Sequence, residues 1–145
     1  MKIIPLVKTL FISSLLIGGV LLSQTSYSET AVIIHPSNNI EISAKDIQRI
    51  FLGKSKTFPE GKNAMPIDQA VSSDTREKFN AIILKKNKRK LKTYWARRVF
   101  TGKGIPPKVV SSPEELKKLV ENNPNAISYV DDSLLDDTVK VVYRF

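Results

Sequence analysis

Three hydroxyls, a carboxylate and a guanidinium lie close together in the stretch from Ser72 to Arg76. Serine, threonine and aspartate commonly cap helix N-termini, and the exposed N–H groups of such a terminus also bind phosphate or sulfate. The guanidinium of Arg76 could add a bidentate contact to an oxyanion. Ser73, Thr75 and Arg76, supported by Ser72, are therefore candidate oxyanion ligands. The residues alone favour an ordinary cap with a solvent-facing arginine, because hydroxyl and acidic caps are so frequent.

A second candidate surface is a run of cations, KKNKRKLK at residues 85–92, with further arginines beyond Tyr94 and Trp95. It could dock on anionic lipids, lipopolysaccharide or an acidic protein partner. The alternative is a solvated junction between helices with Trp95 in the core. The cations of this surface are Lys85, Lys86, Lys88, Arg89, Lys90, Lys92, Arg97 and Arg98.

The remaining polar residues give little support to catalysis. His35, the only histidine, follows an apolar run; it could line a ligand site at the end of a strand, or it could end that strand with a hydrogen bond. No nucleophile–base pair, glycine-rich phosphate loop or paired-acid arrangement stands out. The acidic stretch DDSLLDD at residues 131–137 lacks the spacing of a calcium loop. We therefore expect no enzyme, no cofactor and no metal.

The N-terminus is expected to be a signal peptide. Lys2 and Lys8 precede a largely apolar run, and Ser26 to Ser28 supply the small residues of a cleavage site. Cleavage is expected between Ser28 and Glu29, with export to a bacterial periplasm. The sequence contains no cysteine, which excludes disulfides and a lipid-modified N-terminal cysteine.

Residues 29–145 are long enough for one domain with a core of its own. The whole chain carries a net charge of +9, of which the two leader lysines contribute two. A basic exported domain suits oxyanions, lipid headgroups or cell-wall polymers. Nucleic acid is not an expected partner because of the compartment, and no later segment is apolar enough to span a membrane.

Strands interleaved with helices predict an α/β fold: a three-layer sandwich with a small mixed sheet of about four strands. Helices are predicted after Ser43, from the Ser73 region, around Leu91–Val99 and after Ser112, each with a cap or an apolar face. Phe79, Ile82 and Ile83 are expected on one buried face, and KGIPPK at residues 103–108 is expected to be a rigid connector. The alternating segment at the C-terminus predicts one buried strand face. Strands are predicted at residues 31–36, 64–68, 126–130 and 139–145.

Four segments, in order, resemble the substrate-binding proteins of bacterial phosphate importers of the ABC type. The segments are IQRIFLGKSKTFPEGKNAMPID, SSDTREKF, YWARRVFTGKG and PNAISYV. The family patterns that they resemble include "IFxGK", Ser-Gly-Thr-(Arg)…Phe and "PGAIGY". The resemblance covers nearly all of residues 29–145. It implies one lobe of a type 2 periplasmic binding protein, without enzymatic activity, that binds phosphate or a similar oxyanion through Ser73, Thr75 and Arg76.

Two departures from the family weaken the expected binding. The family's proteins have two lobes that close around the anion, whereas this sequence corresponds to one lobe. Asp74 stands where the family has glycine, and its carboxylate would face a bound anion as a like charge; Gln69 stands where an arginine often follows the aspartate. Asp74, Gln69 and His35 are therefore expected modulators of a weak site. The alternative is an accessory protein of an envelope complex that keeps the fold without the ligand, in an oligomeric state left open.

Overall fold

The computed structural model describes residues 28–145, so the predicted signal peptide lies, apart from Ser28, outside the described residues. This part of the chain forms five strands, four α-helices and one short 3-10 helix (Asp132–Leu134). The strands are β1 (Thr30–Ile34), β2 (Met65–Gln69), β3 (Lys108–Val110), β4 (Ala126–Asp131) and β5 (Lys140–Arg144), and the helices are α1 (Ala44–Phe51), α2 (Asp74–Ile82), α3 (Lys88–Phe100) and α4 (Pro113–Glu121).

The five strands form one mixed sheet in the order β3-β2-β4-β1-β5. Strands β2, β3 and β4 run parallel to one another, whereas β1 pairs antiparallel with both β4 and β5. The carboxyl ends of β2, β3 and β4 therefore lie at one edge of the sheet, and the carboxyl end of β1 lies at the other. This polarity decides which candidate residues meet.

The sheet separates two apolar clusters, which makes the fold a three-layer sandwich as predicted. Successive side chains of a strand point to opposite faces, so Val32 and Ile34 enter the cluster beneath α1, α2 and α3. Ile33 enters the second cluster, beneath α4. Every residue of β1 is buried, as expected for a central strand covered on both faces.

Three helices start at the positions that their capping residues predict. Ser43 forms a reciprocal capping box with Asp46, and the side chains of Ser73 and Ser112 each accept a hydrogen bond from the backbone N–H three residues on. The start of the fourth helix, α3, differs from the prediction, in which the cation run separated two helices. Asn87 caps α3 through a bond from Lys90 N–H, and the run from Lys88 onward is helical.

Three other predictions were wrong in part. The sheet has five strands rather than about four, because Lys108–Val110 form β3 at the end of the predicted connector. Ile82 is 40% exposed although Phe79 and Ile83 are buried. The C-terminal strand was predicted to bury one face. Instead, a register shift between Val32 and Ile33 of β1 places an extra residue, Val142, in β5. The two halves of β5 therefore pack against different apolar clusters.

Gly53, just after α1, has a backbone that a side chain would strain. Its φ is +64°, and a Cβ there would lie 3.1 Å from the ring of Trp95. We expect Gly53→Ala to lower the unfolding free energy by about 1–2 kcal/mol from the left-handed backbone alone, and further through the contact with Trp95. Gly102→Ala is the matched control, because its φ is +67° but nothing lies within 4 Å of the added Cβ. If urea unfolding gave the same loss of unfolding free energy for both variants, the contact of the added Cβ with Trp95 would not be destabilising.

Candidate functional site

The candidate site lies where β2 ends and α2 begins, at the carboxyl edge of the parallel strands. Open α/β sheets bind ligands at such edges. Ser73 is the N-cap, and its Oγ accepts a hydrogen bond from Arg76 N–H at 3.2 Å. The same hydroxyl donates to Oε1 of Gln69 at 2.5 Å. Ser73 therefore ties the helix start to the strand end, and both of these contacts are within the protein.

Arg76 turns back from α2 onto the end of β2. Its Nη1 donates to the carbonyl oxygen of Gln69 at 2.7 Å, and its Nη2 lies 2.9 Å from Oδ2 of Asp68. The two side chains are only 14% and 7% exposed. The guanidinium is thus held by an internal ion pair, and the predicted solvent-facing arginine of an ordinary cap does not describe it.

Asp68 belongs to a buried polar group that links three elements. Its carboxylate accepts hydrogen bonds from the Tyr129 hydroxyl on β4 and from Gln69 N–H at 2.9 Å. Burial raises the pKa of Asp68 above its ordinary 3.8, against the opposing effects of Tyr129 and Arg76. Burial, followed by the nearby Asp68 charge, also raises the pKa of Tyr129 well above its usual value. The side-chain Nε2 of Gln69 donates a hydrogen bond to the backbone carbonyl oxygen of Tyr129 at 2.8 Å.

The solvent side of the helix start carries the donors that could meet an anion. Within residues 28–145, the N–H groups of Asp74 and Thr75 have no hydrogen-bond partner, whereas that of Ser73 bonds to Ala70. Ser72 and Asp74 are exposed and Thr75 is half-buried. A helix N-terminus with two unpaired N–H groups and neighbouring hydroxyls can hold an oxyanion, and the exposed Asp74 carboxylate opposes this.

His35 is not part of this arrangement. It follows β1, whose carboxyl end lies at the opposite edge of the sheet from α2. Its Nδ1 lies 2.7 Å from the hydroxyl of Ser37 and accepts from Ser37 N–H at 3.1 Å. The structure therefore gives His35 the local hydrogen bonds of a strand end, and brings Ser72, Ser73, Asp74, Thr75, Arg76 and Gln69 together without it.

The predicted basic surface is divided by the fold. Lys86 lies over the ring of Tyr94, 5.4 Å from its centroid, and Arg98 donates to the carbonyl oxygens of Gly53 and Lys103, each at 2.8 Å. Trp95 is buried in the larger cluster. The exposed cations are Lys85, Lys88, Arg89, Lys90, Lys92 and Arg97.

The hydrogen bond between Tyr129 and Asp68 was not predicted from the sequence. Asp68 was visible as an acid at the end of a predicted strand, eight positions before an arginine. Tyr129 offered no such signal, because its place beside Asp68 depends on the pairing of β2 with β4.

A search of solved structures finds this fold in phosphate-binding proteins. A protein from Clostridium perfringens, described as a phosphate ABC transporter substrate-binding protein and solved with bound phosphate, matches with a TM-score of 0.64 and 23% identity. An ABC-type phosphate transport receptor from Vibrio cholerae matches with a TM-score of 0.63 and 19% identity. The matches cover 79% of this chain and 45% and 46% of those chains. This chain has the fold of one binding-protein lobe.

The present chain thus spans about half the length of the proteins that it matches. No protein-family model and no curated protein matches the sequence. Between residues 28 and 145, no helix combines the length and apolar character needed to cross a membrane. In that same range, no group of three or more His, Asp or Glu side chains is arranged to hold a metal ion.

Proposed function

We propose that this protein is an exported, non-enzymatic solute-binding domain that holds phosphate or a similar oxyanion weakly, in a periplasmic setting linked to phosphate uptake. The observation that carries the proposal is the start of α2. Two N–H groups without a hydrogen-bond partner within residues 28–145, those of Asp74 and Thr75, lie just after the carboxyl end of a parallel strand. The fold around them is shared with a protein solved with phosphate bound.

We infer different roles for the candidate residues from their contacts within the site. Ser73 uses its hydroxyl on Gln69 and on the helix backbone, so it fixes the donors in place. The hydroxyl of Thr75 and the two free N–H groups provide direct contacts, with exposed Ser72 in support. Arg76 contributes positive charge to the proposed site from its pair with Asp68.

Weak binding follows from three features of the same site. The site lies on the surface of one lobe, where salt screens its charges. The Asp74 carboxylate competes with the anion for the positive end of the helix dipole. The positive charge of Arg76 is already balanced in part by Asp68.

Calorimetric titration with phosphate and with sulfate tests this proposal. Asp74→Asn removes the like charge, and since a charge at a helix terminus is worth about 0.3–1 kcal/mol, we expect binding to become about two- to fivefold tighter. Thr75→Val removes the hydroxyl and is expected to weaken binding. Asp137→Asn is the matched control, because it removes an exposed carboxylate from the turn before β5 and should leave binding unchanged.

Absence of binding heat for the wild-type protein and for Asp74→Asn would reject the oxyanion site. That result would favour the second candidate function, an accessory protein of an envelope complex. The exposed cations of α3, among them Lys90 and Arg97, are the surface proposed to contact such a partner.

A further inference from the structure

A cavity separates α2 from α3 and reaches Arg76 near the start of α2, where the oxyanion is proposed. Its volume is about 360 Å³, within the range of roughly 300–1,000 Å³ typical of sites for small organic ligands. Val71, Ala81, Leu91 and Trp95 give it apolar walls. A cavity of this size is much larger than inorganic phosphate needs, and its walls suit a ligand with an apolar body.

Two lysines add a positive rim to these apolar walls. Lys88 and Lys92 lie one turn apart on α3, as do Leu91 and Trp95, and all four line the cavity. Within residues 28–145, neither lysine is in a salt bridge. Arg76 also lines the cavity, but its charge is paired with Asp68, and Glu77 is the acid among the lining residues. The rim therefore suits an anionic group.

We propose that this α2–α3 cavity binds a small amphipathic anion. The apolar body lies against Leu91 and Trp95, and a carboxylate or phosphate headgroup lies at Lys88 and Lys92. This site differs from the proposed oxyanion site in its ligand and in its lysines, although Arg76 borders both. Neutral substitutions of Lys88 and Lys92 should therefore leave phosphate binding unchanged, and Asp74→Asn should leave decanoate binding unchanged, so either proposal can fail without the other.

Trp95 reports on the cavity directly, because it is the only tryptophan of the chain. Protein obtained by expressing the full chain would be titrated with decanoate and with decyl phosphate, below the concentrations at which they form micelles, and with decanol. We expect a saturable change in tryptophan fluorescence with both anions and weaker binding of decanol. The tighter of the two anions identifies the headgroup.

Matched variants separate the cavity from general surface charge. Lys88→Gln combined with Lys92→Gln should weaken decanoate binding by about two- to 25-fold, the range for two exposed ion pairs. Lys90→Gln combined with Arg97→Gln removes the same charge from positions of α3 outside the cavity and should have no effect. Ala81→Leu places a larger side chain in the cavity wall and should reduce binding in a protein whose circular dichroism is unchanged.

Three results would overturn this proposal. They are no saturable fluorescence change with either anion, equal weakening by the two double variants, and binding of decanol as tight as that of decanoate.

Discussion

Arg76→Ala should lower the free energy of unfolding at neutral pH by about 3–5 kcal/mol, the range measured when one partner of a buried ion pair is removed. The substitution leaves the Asp68 carboxylate buried with the Tyr129 hydroxyl and Gln69 N–H as its remaining donors. It also removes the bond from Arg76 to the carbonyl oxygen of Gln69. Urea unfolding of the two proteins measures the loss directly.

The pH dependence of this loss identifies its cause. Burial raises the pKa of Asp68 in the folded protein. The contribution of Asp68 to the unfolding free energy is therefore fully present only at pH values below about 3.9, the pKa of an aspartate in the unfolded chain. That contribution is lost as pH rises through the folded pKa. Removing Arg76 raises the folded pKa further, so Arg76→Ala should cost less at pH 4 than at pH 7.

Two further variants complete this test. Arg97→Ala removes an exposed arginine of α3 and should change the unfolding free energy by no more than about 0.5 kcal/mol. Asp68→Asn combined with Arg76→Ala should be less destabilised than the sum of the two single changes, because neither charge is then left alone. A pH-independent cost of Arg76→Ala, with additive single changes, would show that the ion pair does not stabilise the fold.

Phe79→Ala is the second change with a large expected effect, a loss of about 3–5 kcal/mol. The ring is fully buried and stacks on Tyr129 with 3.9 Å between centroids and 7° between planes. It also meets the edge of Phe51 at 4.7 Å. Truncation would remove the contact between α2 and the sheet and leave a cavity beside Asp68 and its partner Tyr129.

Phe100→Ala is the control for this change. It deletes the same ring from a position that is 92% exposed, and it should alter stability by no more than about 0.5 kcal/mol. The two variants would be compared by thermal and urea unfolding. Similar losses for both would contradict the burial of Phe79 between α2 and the sheet.

Local chemistry explains why much of the fold was predictable. Ser43, Ser73 and Ser112 each satisfy backbone N–H groups within three residues, so their sequence neighbours suffice to predict a helix start. The apolar run of β1 likewise indicates a strand buried on both faces. In contrast, β3 has three residues, too few for a periodic pattern, and it exists because β2 offers a parallel partner. The register shift opposite Val32 also depends on pairing with a distant segment.

The same distinction applies to the candidate site. The cap at Ser73 could be predicted because it depends on residues three positions apart. The bond from Tyr129 to Asp68 could not, since strand pairing brings residues 61 positions apart into contact. The pair of Arg76 with Asp68 spans eight positions and depends on how α2 folds back onto the end of β2. Because Arg76→Ala is expected to lower stability, it cannot serve as a clean test of anion binding.

The most direct test of the oxyanion site is a phosphate titration followed by the backbone amide chemical shifts of residues 70–100, which include α2 and α3. The account predicts saturable shifts of the Asp74 and Thr75 amide protons, larger in Asp74→Asn at equal phosphate concentration. Shifts confined to the lysines and arginines of α3, or none at all at Asp74 and Thr75, would contradict it.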